Sequence, residues 1–102
     1  MARFDVHPVT GDSVSLVVDV QADMLNDLPS RIVVPLIMVT RLERPILARL
    51  EPIITVDGQR HVLATAALGV MSARALQAPV ANVEARHRDD IVSALDFLFQ
   101  GY

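Results

Sequence analysis

Apolar residues recur at every second position twice within the first twenty residues, and that rhythm predicts two strands. Phe4 and Val6 alternate with Arg3, Asp5 and His7. Pro8 then removes a ladder donor, so the first strand is short. Thr10, Gly11 and Asp12 follow as a turn. Across residues 14–20, Val14, Leu16, Val18 and Val20 alternate with Ser15, Val17 and Asp19, which predicts a half-buried strand antiparallel to the first. Residues 23–30 carry Asn26, Asp27 and Pro29 and read as a loop, in which Met24, Leu25 and Leu28 are expected to cap the core. Ile32, Val33, Val34, Pro35 and Leu36 form a β-branched run too short for a helix, expected to be covered on both faces or to end at Pro35. Between Pro45 and Pro52, residues 46–51 have room for one or two helical turns. Residues 53–56 and 61–64 flank Asp57-Gly58, a dipeptide suited to the positive φ angles of a type I′ hairpin turn.

The rhythm changes at the end of the chain. With Ile91 as reference, Ala94, Leu95 and Leu98 fall on one apolar stripe, His87 lies one turn earlier, and Gly101 stands as a C-terminal stop. Asp89, Asp90 and Ser93 are free to face water, and Asp89 and Asp90 are expected to favour the early helix through its dipole. Phe97 and Phe99 flank the stripe, about 100° either way from Leu98. A helix docked through one stripe does not easily bury both, so the last turn is expected to meet a second subunit, a target protein or both, the alternative being that local loops cover the two rings.

Length and composition then narrow the class. A chain of 102 residues, 52% hydrophobic, fits one folded domain over residues 1–102 and argues against disorder. It holds no apolar run near the ~20 residues that span a bilayer. Arg3, Asp5 and His7 interrupt the opening residues, so no secretory signal is expected and the cytoplasm is the expected location. With no cysteine, stability must come from packing and hydrogen bonds rather than disulfides or thiolate-held zinc. The net charge is −3, and all nine basic residues are arginine. Direct nucleic-acid binding is disfavoured, whereas arginine suits bidentate contacts at protein interfaces. The apolar surplus points to a homo-oligomer.

No catalytic motif emerges. There is no nucleophile elbow, no Gly-rich phosphate loop and no HExxH, and only four glycines occur in the chain. His7, His61 and His87 fall on three separate elements without a partner at metal-ligand spacing. Asp89 and Asp90 are adjacent, so on a helix they diverge and do not form an acid–base pair. No catalytic residue, metal or cofactor is expected.

Four strings, in order and at matching spacing, resemble the CcdB toxins of bacterial toxin–antitoxin modules. They are Leu16-Val17-Val18-Asp19-Val20-Gln21-Ala22-Asp23, Arg31-Ile32-Val33-Val34-Pro35-Leu36, Glu51-Pro52-Ile53-Ile54 and the C-terminal residues 91–102. The resemblance covers essentially the whole chain. It implies a mainly β fold with a C-terminal α-helix: an SH3-like antiparallel β-barrel or sheet with an accessory hairpin, assembled as a homodimer. It also implies a protein-binding poison of DNA gyrase that acts on the A subunit through the C-terminal helices and performs no chemistry. A CcdA-like antitoxin would wrap and neutralise the dimer with a disordered segment and help repress the operon, so that DNA is met only through the antitoxin.

Transferred to this chain, the resemblance places gyrase contacts at Met24, Leu25, Asp96, Phe99, Gln100, Gly101 and Tyr102. Three positions depart from the family pattern. Gln100 stands where family toxins carry a tryptophan wedge, Tyr102 replaces an aliphatic end residue, and Asp96 replaces an amide. Glutamine lacks the stacking face of an indole, which leaves Phe99 and Tyr102 as the nearest aromatic groups. Two competing functions remain: a non-toxic dimeric homologue, and an endoribonuclease on a related barrel. The ribonuclease would need Arg31, Arg74 and His61 to converge on RNA.

Overall fold

The computed structural model describes residues 1–9 and 16–102. The expected turn at Thr10, Gly11 and Asp12, and the start of the second strand at Val14 and Ser15, lie outside the described residues. Among the described residues, seven strands form one antiparallel sheet curled into a nearly closed barrel: β1 (Asp5–Pro8), β2 (Leu16–Asp19), β3 (Ser30–Met38), β4 (Ile53–Val56), β5 (Gln59–Leu63), β6 (Gly69–Ser72) and β7 (Ala81–Asn82). One helix, α1 (Glu84–Gln100), follows. The strand order is β4-β5-β3-β2-β1-β7, with β6 also paired to β3.

β3 organises the barrel. One edge pairs with β2 through Val33 to Leu36; the other is divided between β6, at Ser30 to Val33, and β5, at Leu36 to Met38. The strand runs through Pro35 rather than ending there. Proline has no N–H to offer, but its carbonyl still accepts from the Ala64 N–H at 2.9 Å.

β1 and β2 pair as expected, with Val6 opposite Val18. Phe4, just before β1, takes φ 71°, an uncommon region for a bulky side chain. Its N–H to the Asp19 carbonyl and its carbonyl to the Val83 N–H tie the turn between barrel and helix, and its ring is buried. The β4–β5 hairpin turns at Asp57 and Gly58, whose φ angles of 50° and 76° are the pair a type I′ turn requires.

The core lies between barrel and helix. Phe4, Val6, Val18, Val20, Val34, Leu36, Ile54 and Leu63 pack around Ile91 and Ala94. His87 joins them, and its Nε2 accepts the Thr55 N–H at 3.2 Å, so the helix covers a donor of β4.

Four sequence expectations are corrected. β2 is not half-buried: Val17 packs with Val33 and Leu76 in a second small cluster, and Asp19 is fully buried. The chain after β6 returns across that face, with Val9 bridged to Leu76. Met24, Leu25 and Leu28 do not cap the core; all three are exposed. Residues 46–51 make one closed turn, in which the Leu47 carbonyl accepts from Leu50 and Glu51, and no helix. Asp89 and Asp90 fall in the second turn of α1, past the reach of the dipole at its start. Asp90 instead lies 3.6 Å from His87 Nδ1, and Asp89 lies 3.6 Å from Arg88.

Candidate functional site

Two surfaces carry the residues that the sequence singles out. The first is the tip of α1. Its buried stripe runs through His87, Ile91 and Ala94 and fades at Leu95 and Leu98, which are only partly covered. Gly101 then adopts φ 79° and returns its N–H to the Phe97 carbonyl at 2.9 Å, closing the helix with a left-handed cap. The two flanking phenylalanines differ in fate. The Arg49 guanidinium lies over the Phe97 ring, 4.3 Å from its centroid. Phe99 is 70% exposed and Tyr102 75% exposed.

Asp96 and Gln100, two of the departures from the family pattern, meet each other: Gln100 Nε2 donates to Asp96 Oδ1 at 3.4 Å, one helical turn away. At that distance the bond is weak.

The second surface is the 3-10 turn Asp23–Leu25 after β2. Met24 is 90% exposed, the most of any large apolar residue among the described residues, and Leu25 stands beside it at 46%. A methionine in water at the end of a strand would ordinarily collapse onto apolar neighbours. Here the residues on both sides of it are pinned. The Arg3 N–H donates to Asp23 Oδ1 at 2.7 Å, Gln21 Nε2 donates to the Leu25 carbonyl at 3.0 Å, and Arg31 Nη1 donates to Asn26 Oδ1 at 2.9 Å. Arg31 is 1% exposed and paired with buried Asp19: its Nε donates to Asp19 Oδ2 at 2.9 Å and its Nη2 lies 2.6 Å from the same oxygen.

Thus Met24 and Leu25 sit together on one turn, and Asp96, Phe99, Gln100, Gly101 and Tyr102 sit together at the helix tip. Among the described residues, no hydrogen bond or ion pair joins the two groups. The bonds that Asp19, Gln21, Asn26 and Arg31 make around this turn were not read from the sequence. The available signal was an acid at an otherwise apolar strand position, with an arginine twelve residues on to answer it across the next ladder.

Arg31, Arg74 and His61 do not converge. Arg31 lies opposite Met71 near the start of β3, and His61 lies opposite Met38 at its end. Seven residues of strand separate those two register positions, roughly 23 Å at a rise of about 3.3 Å per residue. Arg74 sits on the short turn after β6. The three histidines stay on separate elements, where His7 Nδ1 is 2.8 Å from the Gln77 carbonyl and His61 Nδ1 is 3.1 Å from the Gln59 carbonyl. Among the described residues no cluster of three His, Asp or Glu is arranged to hold a metal ion, and no helix is long and apolar enough to cross a membrane.

A nearly closed antiparallel barrel followed by a C-terminal helix, with an apolar turn and an aromatic helix tip among its exposed features, defines a small β-barrel protein. The chain matches the family model described as CcdB protein over residues 3–101, and it belongs to that family. The family is one of toxins from toxin–antitoxin modules. No curated protein matches the chain.

Proposed function

We propose that this chain is the toxin of a type II toxin–antitoxin pair that binds DNA gyrase through its A subunit, working as a homodimer in the cytoplasm. Contact is made by Met24 and Leu25 on the turn after β2 and by Asp96, Phe99, Gln100, Gly101 and Tyr102 at the tip of α1. A CcdA-like antitoxin neutralises the dimer and links it to operator DNA, and the toxin acts by binding, without a cofactor. The observation that supports this proposal is the exposure of Phe99, Tyr102 and Met24, residues to which the resemblance to the family assigns the gyrase contact. Each is a large side chain left in water by a well-packed fold, and interface centres favour such aromatic and methionine groups.

Convergent arginine and histidine groups would favour a ribonuclease, and Arg31 instead is sealed inside an ion pair. The test is to add purified protein to the gyrase of its own host. Supercoiling is expected to fall, or cleaved DNA to accumulate, while RNA in the same mixture stays intact. Unchanged gyrase activity together with rapid RNA cleavage would overturn the proposal.

A further inference from the structure

We infer that Gln21, Asn26 and Arg31 are positioning residues, which hold Met24 and Leu25 out from the barrel in the shape a partner meets. This rests on the proposal that Met24 and Leu25 make that contact. The argument starts from where the buried polar groups send their bonds. Asp19 and Arg31 form a fully buried ion pair, an arrangement that apolar residues of similar volume often replace without loss of stability. Their remaining hydrogen bonds do not serve the β-ladder. Asp19 Oδ1 accepts the Gln21 N–H at 2.9 Å, and Arg31 Nη1 reaches Asn26 on the loop. Gln21, itself buried, spans the gap between strand and turn: its Oε1 accepts the Ile32 N–H of β3 at 3.1 Å while its Nε2 donates to the Leu25 carbonyl.

The turn is therefore fastened immediately before Met24, at Asp23, and after it, at Leu25 and Asn26. Met24 itself projects into solvent. An unfastened turn would sample many shapes, and binding would then have to order it again. Preorganisation of this kind shows up in affinity rather than in the contact itself.

The test uses the full-length protein and purified gyrase A subunit. Asn26→Ala removes the acceptor from Arg31, and Gln21→Glu keeps the acceptor for Ile32 but replaces the donor to Leu25. Each is expected to weaken binding about 5- to 30-fold, the cost of re-ordering one backbone residue on association. Asn26→Asp retains an oxygen for Arg31 Nη1 and is expected to restore affinity. The deciding measurement is a double-mutant cycle with Met24→Ala. If Asn26 acts by positioning Met24, Asn26→Ala adds little once Met24 is gone. If it acts only on general stability, the same loss appears in both backgrounds, and the inference is overturned. It is also overturned if Met24→Ala weakens binding while Asn26→Ala and Gln21→Glu leave it unchanged. If Met24→Ala itself has no effect, the proposed contact falls first and the inference goes with it. Thermal melts on every variant separate these outcomes from unfolding.

Discussion

Along the C-terminal helix, His87, Ile91 and Ala94 are buried against the barrel, whereas Phe99, about two turns beyond Ile91, and Tyr102, just past the helix end, stand in water. The same chain segment thus holds two populations of apolar residue. One is enclosed by Phe4, Val18, Val34 and Ile54, and removing a member leaves a void that its neighbours fill only in part. The other touches little of its own chain, so its loss leaves no cavity. Stability and the proposed partner contact are therefore separable by position along the chain's end, with the crossover near Leu95 and Leu98.

The largest expected effect tests that separation directly. Ile91→Ala should destabilise the fold by about 2–5 kcal/mol, Leu95→Ala by less because it is only partly buried, and Phe99→Ala by no more than about 0.5 kcal/mol. Urea melts on the three variants decide the matter. A Phe99→Ala loss equal to that of Ile91→Ala would mean that the tip is packed in solution and that the two populations are one.

A smaller effect concerns the lid over Phe97. Arg49 lies on the segment 44–51, which is drawn closed by Glu51: Arg44 donates to Glu51 through Nη1 at 2.7 Å and Nη2 at 2.5 Å, and the Leu47 N–H donates at 3.0 Å. The hydrogen bonds from Arg44 hold the Glu51 carboxyl below its ordinary value of 4.5; burial opposes this, and the Leu47 N–H and the arginine charge assist it. Because the folded value is the lower one, the stabilisation is fully present above about pH 4.5 and is lost as pH falls through the depressed folded value. Wild-type stability should therefore drop over that acidic range more steeply than that of Glu51→Gln, which has no carboxyl to titrate. Melts from neutral pH down through the acid range below the ordinary carboxylate value measure it. Parallel curves for the two proteins would remove Glu51 as the fastening.

How much of this was legible in the sequence depends on whether the cause was local. The β4–β5 turn was readable because Asp57-Gly58 carries its own backbone requirement, and the helix stripe was readable because His87, Ile91 and Ala94 recur at the helical period. The second cluster around Val17 was not, since it exists only because Leu76 and Met71, far along the chain, pack onto Val17 and Val33, a long-range event with no mark near Val17. Met24, Leu25 and Leu28 misled for a related reason. Hydrophobicity alone sends them inward, and the bonds that hold the turn outward come from Arg3, Gln21 and Arg31, on either side of it in sequence. The resemblance to the family pointed to the helix tip and the turn, but it gave no hint that Asp96 and Gln100 would bond to each other.

The smallest change in stability, and the sharpest test of the tip, comes from Gln100→Trp. Gln100 is exposed and gives up only the long bond to Asp96, so a melt should shift within about 0.5 kcal/mol. Binding should respond far more. An indole at that position offers a broad apolar face next to Phe99 and Tyr102, and a tryptophan acting as an interface hot spot contributes about 2 kcal/mol, near 30-fold in affinity. Titration against the gyrase A subunit, with Phe99→Ala and Tyr102→Ala alongside, reads the result. A gain from Gln100→Trp means that the wedge position is still aimed at the partner and that glutamine weakens it. No gain, with binding abolished by Phe99→Ala or Tyr102→Ala, means that a neighbouring ring has taken over the contact. Because all three side chains lie beyond the buried stripe, none of these substitutions has to pass through the core to be felt, and an effect on affinity without one on melting is what the division of the helix requires.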